Sequence, residues 1–235
     1  MSQREDTYFD ALRAVDTPSI ANAIEVVLGK RQGSGFTRRT VLAANPDLPP
    51  MVGYARTAKL KAAEPSTEDP TKLAERRMAY YQYMAEAPKP SVVVVEDLDY
   101  PDCVGAYWGE INTTVHKGFG LQGTLTNGVM RDLGDLAPDY PVIAGSVGPS
   151  HAFVRVEAID VPVNIFGLEV RPGEMIHADR HGAVVIPEAA QDDLPDAILT
   201  MQNRERIVLD AARTPGFDFA QFQTAWARFE AAREK

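Results

Sequence analysis

Three charged residues stand at the two ends of one short stretch, residues 108–132, and their side chains suit the binding of an anion and a metal ion. Glu110 stands near the start, and Arg131 and Asp132 end the stretch after twenty intervening residues. An arginine can grip a carboxylate through two parallel N–H donors. The carboxylates of Glu110 and Asp132 are hard oxygen ligands of the kind that Mg²⁺ or Mn²⁺ takes. The stretch therefore predicts an anion clamp beside a divalent-metal site.

The residues between these charges predict a short helix followed by a strand. Residues 111–117 contain no glycine or proline and precede two glycines, which indicates a helix that Glu110 opens. Residues 122–130 alternate in polarity as a strand does, so the Arg-Asp pair would close that strand. A helix N-terminus carries free N–H groups and partial positive charge, which favours a ligand carboxylate there.

Two plainer interpretations of the same residues stay open. An adjacent Arg-Asp after a strand is often a surface pair, and Asp132 suits the N-cap of a following helix. The string from Gly118 to Gly123 also matches G-x-G-x-x-G. However, a dinucleotide-binding loop follows a strand and opens a helix, whereas this string follows a helix and opens a strand, which excludes that function.

A second string, His177-x-Asp179-x-His181, invites a metal interpretation. In an extended segment these three side chains would face the same side. The alternative is a structural turn, in which Asp179 and Gly182 supply turn chemistry. The lone cysteine, Cys103, excludes an intramolecular disulfide and is expected to be a small packed residue.

With its flanks, the stretch resembles the RraA-like superfamily, which includes the class II pyruvate aldolases acting on 4-hydroxy-4-methyl-2-oxoglutarate. The acid, the twenty-residue spacing and the Arg-Asp pair match that family's signature, within the flanks CVGAYWGEI and GLQGTLTNGVMRD. A later block, VPVNIFGLEVRPGEMIHADRHGAVVIP, is similar to a second family block. The resemblance covers roughly residues 18–187 and implies an α/β fold, a swivelling α/β/α domain with a central β-core and helices outside. It also implies homotrimers or homohexamers with sites near subunit interfaces.

The resemblance assigns roles position by position. Asp132 would bind the metal, directly or through water, and Arg131 would hold the substrate carboxylate and stabilise a pyruvate enolate. The substrate-binding set would also include Gly109, Ile111 and Asn112, the last two through their backbone N–H groups.

Two acidic residues carry roles that the resemblance defines less closely. Glu110 stands where characterised aldolases have an aspartate, and its extra methylene changes the reach of a carboxylate that can be a metal ligand, a water-holder or a base. Glu205 matches, by rough position only, a glutamate that reaches a neighbouring subunit's site as an acid/base group. The alternative for Glu205 is a solvated glutamate on a helix face.

The resemblance implies a Mg²⁺- or Mn²⁺-dependent lyase that cleaves a 4-hydroxy-2-oxo acid to pyruvate, with oxaloacetate decarboxylation as a side activity. One alternative is a non-catalytic regulator that binds ribonuclease E, although such members tend to lack the acid-Arg-Asp set. Another is a related lyase or hydrolase on a different oxo acid. The helix predicted over residues 71–87 is longer than these aldolases lead us to expect, so the pocket or an oligomer contact would differ.

Composition sets the remaining bounds. The chain has 235 residues with 45% hydrophobic and 24% charged residues, which suits one domain over residues 1–235 with N-terminal helices in about 1–30 and C-terminal helices in 188–235. The net charge of −9 argues against nucleic-acid binding. The N-terminus lacks an apolar signal segment and the chain has no long apolar run, so we expect a cytoplasmic protein without membrane contact.

Overall fold

The computed structural model of the chain describes residues 3–233. The helices in that range are α1 (Gln3–Arg13), α2 (Thr17–Leu28), α3 (Pro70–Ala85), α4 (Glu110–Gly118), α5 (Glu188–Gln191), α6 (Leu194–Ala212) and α7 (Phe219–Arg233). The first strands are β1 (Leu42–Ala43), β2 (Met51–Lys61), β3 (Ser91–Asp97), β4 (Ala106–Trp108), β5 (Thr124–Thr126), β6 (Val129–Met130) and β7 (Val142–Ala144). The remaining strands are β8 (Ser146–Val147), β9 (Arg155–Ile159), β10 (Val163–Ile165), β11 (Leu168–Val170), β12 (Met175–Asp179) and β13 (Gly182–Ile186).

One mixed sheet forms the centre of the molecule, in the order β1-β7-β5-β3-β2-β12-β13, with β9 also paired to β2. The strands β2, β3, β5 and β7 run parallel to one another. The pairs at the margins, including β2 with β12 and β12 with β13, are antiparallel. The expected α/β architecture with a central β-core and outer helices is confirmed.

The central position of β3 follows from its run of four valines. A strand that is covered on both faces needs apolar residues at every position. Val93 and Val95 pack in the cluster that contains Tyr80, while Val92 and Val94 pack in a second cluster on the other face. The valine run by itself predicts a buried central strand, and the structure confirms it.

The prediction of one strand over residues 122–130 is wrong, because the chain forms β5 and β6 in two different sheets. The break falls at Asn127 and Gly128. Asn127 Oδ1 accepts a hydrogen bond from the Asp97 N–H at 2.7 Å, and its Nδ2 donates to the Asp97 carbonyl at 3.2 Å. This pairing fixes Asn127 to the end of β3, and the chain leaves the main sheet there. β6 instead lies between β4 and β8 in a small parallel sheet.

Two further sequence details concern helix ends. Asp16, one residue before Thr17, caps α2 by accepting from the Ser19 N–H at 2.9 Å. Residues 188–212 contain two helices, α5 and α6, with Pro195 in the first turn of α6, where its missing N–H needs no acceptor. Among residues 3–233, no helix combines the length and the apolar character needed to cross a membrane.

Candidate active site

The carboxyl ends of β4 and β6 bring the two halves of the Glu110 to Asp132 stretch together. These strands are parallel neighbours, with Trp108 opposite Met130. The Arg131 N–H donates to the Trp108 carbonyl at 2.8 Å, just where both strands end. The twenty-residue spacing is therefore the length of a crossover through α4 and β5. The carboxyl ends of parallel strands share one edge of a sheet, and such edges are where α/β proteins bind ligands.

Asp132 caps α4, a helix that precedes it in the chain, and not the segment that follows it. Its Oδ2 accepts a hydrogen bond from the Glu110 N–H at 3.2 Å and lies 3.5 Å from Arg131 Nε. Asp132 adopts a left-handed backbone conformation with φ 55°. Aspartate tolerates this conformation better than most residues. The turn lets the carboxylate reach the first N–H group of α4, so Asp132 joins the end of β6 to the start of α4.

Gly109 must be a glycine because the Arg-Asp pair occupies the space where a side chain would stand. A Cβ atom added to Gly109 would overlap Asp132 Oδ2 and would lie 3.0 Å from Arg131 Nε. The residue is buried and forms the N-cap position of α4 in an extended conformation. The lack of a side chain at Gly109 lets two charged groups approach the helix N-terminus, and its role in substrate binding stays a prediction.

Three N–H donors at this point have no acceptor within the described part of the chain. The backbone hydrogen bonds of α4 begin with Thr113 donating to the Gly109 carbonyl, which leaves the N–H groups of Ile111 and Asn112 unpaired. Arg131 Nε is buried and has no hydrogen-bond partner, although Asp132 lies nearby. A buried donor such as Arg131 Nε is costly to leave without a partner. An anionic group bound here would satisfy them.

The Asn112 side chain is held firmly beside these donors. Its Nδ2 donates to the Tyr107 carbonyl at 2.7 Å, and its Oδ1 accepts from the Tyr81 hydroxyl at 2.7 Å. Tyr81 belongs to α3, so the helix that the sequence marked as unusually long contributes directly to the site. Aromatic residues at helical spacing usually indicate a core or a subunit interface, so the sequence pattern alone does not reveal this contact.

His116 lies on the buried face of α4, and its imidazole ring is neutral. Its Nδ1 lies 2.6 Å from the Asn112 carbonyl, which can only accept, so Nδ1 carries the proton. Its Nε2 lies 2.8 Å from the Tyr80 hydroxyl and therefore accepts from it. Burial lowers the pKa of His116 from 6.5 to about 4. Both Tyr80 and His116 lie in the core and act by positioning the helix.

A cleft of about 710 Å³ opens beside this cluster. Arg131, Ile111 and Asn112 line it, whereas Glu110 and Asp132 lie next to these lining residues in sequence and are exposed to solvent. Glu205 lies elsewhere, in a separate cavity of about 550 Å³ formed between α2, α6 and α7. Within one chain, the fold therefore brings together the predicted residues from Gly109 to Asp132 but not Glu205.

The two exposed carboxylates near the site, Glu110 and Asp132, would suit a hydrated divalent cation. Within residues 3–233, no group of three or more His, Cys, Asp or Glu side chains is gathered as a metal cage. Mg²⁺ commonly takes only one or two protein carboxylates and completes its shell with water and substrate oxygens. Glu110 and Asp132 supply two carboxylates of this kind beside the unpaired N–H donors.

The second candidate metal string serves the structure instead. Both ring nitrogens of His177 are engaged, one 2.9 Å from Thr17 Oγ1 and the other 3.1 Å from the Leu12 carbonyl. Asp179 accepts from the Thr17 N–H at 2.9 Å and from the His181 N–H at 2.8 Å. These bonds fasten α1 and α2 to β12.

Burial raises the pKa of Cys103, so this cysteine stays a protonated thiol.

Comparison with known proteins places the chain in a family. A family model described as RraA-like, Aldolase/RraA, matches residues 15–185. A candidate 4-hydroxy-4-methyl-2-oxoglutarate aldolase of Halalkalibacterium halodurans is 24% identical over 196 residues, which cover 83% of this chain and 83% of that protein.

Two solved structures share the fold. An uncharacterized protein of Pseudomonas syringae pv. tomato has a TM-score of 0.69 and 23% identity, covering 94% of this chain and 93% of that one. Streptomyces coelicolor RraAS2, described as an unusual member of the RNase ES inhibitor RraA protein family, has a TM-score of 0.66 and 22% identity, covering 85% of this chain and 94% of that one. At these identities the two structures establish the architecture and not the activity.

Proposed function

The chain belongs to the RraA-like family, Aldolase/RraA, and on this basis we propose that it is a divalent-metal-dependent lyase that cleaves a 4-hydroxy-2-oxo acid to release pyruvate. The observation that carries the proposal is the cluster at the ends of β4 and β6. There, Arg131, the Asp132 carboxylate and unpaired helix N–H groups meet beside a cleft, at the start of the helix that Glu110 opens. The Halalkalibacterium relative, which is described as a candidate aldolase, supports the same reaction class.

The substrate carboxylate binds at the N-terminus of α4. Arg131 supplies a charged donor, and the N–H groups of Ile111 and Asn112 supply two neutral ones. Charge-assisted hydrogen bonds of this kind are stronger than neutral ones. The bonds from Tyr81 and to Tyr107 hold Asn112 in position, so the donors are arranged before the substrate arrives.

Glu110 and Asp132 would hold the Mg²⁺ or Mn²⁺ ion. When bound, the cation would supply Lewis-acid polarisation of the 2-oxo group. Asp132 also neutralises part of the Arg131 charge and fixes the helix start through its bond to the Glu110 N–H.

The reaction breaks the bond between C3 and C4 of the substrate. A base takes the proton of the 4-hydroxyl group, a carbonyl forms at C4, and the electron pair of the broken bond moves into the enolate of pyruvate. Arg131 stabilises the negative charge that develops there. Protonation at C3 then gives pyruvate. Loss of CO₂ from oxaloacetate yields the same enolate, so decarboxylation is the expected side activity.

Glu205 enters the proposal only through a second subunit. We include a homotrimer or homohexamer in which Glu205 of a neighbouring chain serves as an acid/base group. Its separation from Arg131 within one chain makes this testable by mixing two inactive variants, Arg131→Ala and Glu205→Gln. Mixed oligomers would regain activity, since some sites would receive both intact residues. Failure of mixed oligomers to regain activity contradicts this role.

The test of the function is pyruvate release from 4-hydroxy-4-methyl-2-oxoglutarate and from oxaloacetate, with Mg²⁺, with Mn²⁺ and after EDTA. We expect release from both substrates that stops with EDTA and falls at least about 100-fold in Arg131→Ala. Full turnover in that variant contradicts the assignment of Arg131. No release from either substrate with any metal contradicts the aldolase proposal and directs attention to the alternative, a regulator detected by ribonuclease E capture.

A further inference from the structure

The helix α3 forms one wall of the cleft with a single face. The residues of this face recur at helical spacing, and they are Pro70, Leu73, Ala74, Arg77 and Tyr81. Residues three and four apart lie on the same side of a helix. The opposite wall comes from the segment before β9, including Phe153 and Val154. The cleft therefore extends beyond the head-group site, by which we mean Arg131 and the N-terminus of α4, into a part lined by α3 and the segment before β9.

Arg77 is the cation of this wall that has no ion-pair partner within the described chain. Its neighbour Arg76 pairs with Glu68 at 2.5 Å and lies 3.9 Å from Glu157. Arg155, another lining residue, pairs with Glu157 at 2.6 Å. Glu68 is the only acidic residue among the described lining residues, and it is committed to Arg76. The charge of Arg77 is thus left uncompensated in the cleft.

Arg77 is also connected to the head-group site. Its positive charge acts on the Tyr107 hydroxyl, where it opposes the strong upward shift that burial imposes on the pKa of Tyr107. The Tyr107 hydroxyl donates to the Tyr81 hydroxyl at 3.5 Å, and Tyr81 in turn donates to Asn112. Arg77 also stands one helical turn before Tyr81 in α3, so it is displaced along the cleft from the helix N-terminus that Tyr81 contacts through Asn112.

We propose that Arg77 binds a second carboxylate of the substrate, at the end remote from the 2-oxo acid group. Both substrates named above carry such a second carboxylate, and Arg77 would be the residue that favours them over 2-oxo acids with an apolar end. The inference rests on the proposed function, because that function places the carboxylate next to the 2-oxo group at Arg131. It goes beyond that function by assigning a specificity-determining residue on α3.

The test compares two ligands that differ only at the remote end. 2-Oxoglutarate and 2-oxopentanoate have the same chain length, one ending in a carboxylate and the other in a methyl group, and neither has the 4-hydroxyl needed for cleavage. Calorimetric titration with Mg²⁺ gives the Kd of each ligand for the wild type, Arg77→Met and Lys72→Met. Lys72 is an exposed cation on the same helix that does not line the cleft, so it controls for a general loss of charge.

We expect the wild type to bind 2-oxoglutarate about 10- to 100-fold tighter than 2-oxopentanoate, as a charge-assisted contact gives. Arg77→Met is expected to abolish that preference and to leave the affinity for 2-oxopentanoate unchanged, whereas Lys72→Met keeps it. Because Arg77 is exposed, its replacement is expected to preserve folding, which thermal unfolding checks.

Three results overturn the proposal: no preference in the wild type, a preference that survives in Arg77→Met, or binding of neither ligand. The function is judged separately by pyruvate release from the hydroxylated substrate. A protein that prefers 2-oxoglutarate through Arg77 but releases no pyruvate keeps this inference and refutes the aldolase. A protein that releases pyruvate but shows no preference for 2-oxoglutarate supports the aldolase function and refutes the role of Arg77.

Discussion

Replacing Gly109 by alanine is the sharpest test of the arrangement at the start of α4. The added methyl group would overlap Asp132 Oδ2 and approach Arg131 Nε and Cγ to 3.0 and 3.1 Å. Both obstacles are side-chain atoms and not backbone, so they can move away. The expected cost in unfolding free energy is therefore at the low end of the overpacking range, about 1 kcal/mol, together with up to about 1 kcal/mol for loss of the Asp132 cap.

Activity is expected to suffer far more than stability. The overlap can be relieved only by moving the arginine and the carboxylate that the proposed reaction needs. A displacement of about 1 Å at reacting groups costs on the order of 100-fold in rate. We therefore expect kcat/KM for pyruvate release to fall about 100-fold, while the melting temperature falls by roughly 2–8 °C for a chain of this size.

Gly118→Ala is the matched control because Gly118 ends the same helix and has no atom within 4 Å of an added Cβ. It should leave activity unchanged and raise stability slightly, by about 0.5–1 kcal/mol. Steady-state kinetics and thermal unfolding of both variants make the comparison. If Gly109→Ala retained wild-type kcat/KM, the Arg131 and Asp132 positions would not be those that catalysis requires.

Three further predictions follow from other contacts. Asp132→Asn keeps an oxygen for the helix cap but removes the charge, so metal-dependent pyruvate release should fall at least about 100-fold while the melting temperature changes little; retained activity with Mg²⁺ would contradict its role at the metal. Tyr81→Phe removes the 2.7 Å bond to Asn112, and we expect KM to rise about 2- to 10-fold, with kcat less affected, in the same assay; an unchanged KM would show that Asn112 needs no such support. His116 is neutral in the folded protein and titrates near 6.5 when unfolded, so the unfolded state binds more protons between pH 6.5 and 4 and stability is lost as the pH falls through that window, by up to about 3 kcal/mol. Denaturant unfolding at several pH values should show a flatter profile in His116→Gln than in the exposed control His151→Gln, and equal profiles would refute this explanation.

Some of the fold could be predicted because it depends on local pattern. The valine run of β3 can be satisfied only by burial on both faces, and the proline and glycine that flank α2 mark its ends. The residue types and spacing of Glu110, Arg131 and Asp132, from which their chemistry is predicted, are likewise visible in the sequence. These features need only the sequence because each is fixed by neighbours along the chain.

Other features depend on contacts between distant residues. Asn127 ends β5 through its bonds to Asp97, thirty residues earlier, and no local pattern distinguishes this break from a continuous strand. His177 has the spacing of a metal ligand, but Thr17 and Leu12 use both of its ring nitrogens. In each case a partner far away in the chain decides the role.

The sequence by itself determined which groups are available: one arginine, two carboxylates and a helix N-terminus within 23 residues of chain. Only the tertiary structure decided that they meet, because the parallel pairing of β4 and β6 places their carboxyl ends side by side. The structure alone also placed Arg77 and Tyr81 of α3 on the wall of the cleft. The position of a helix on a sheet depends on the apolar area buried by side chains from many separate parts of the chain. The sequence of the helix alone does not give that area.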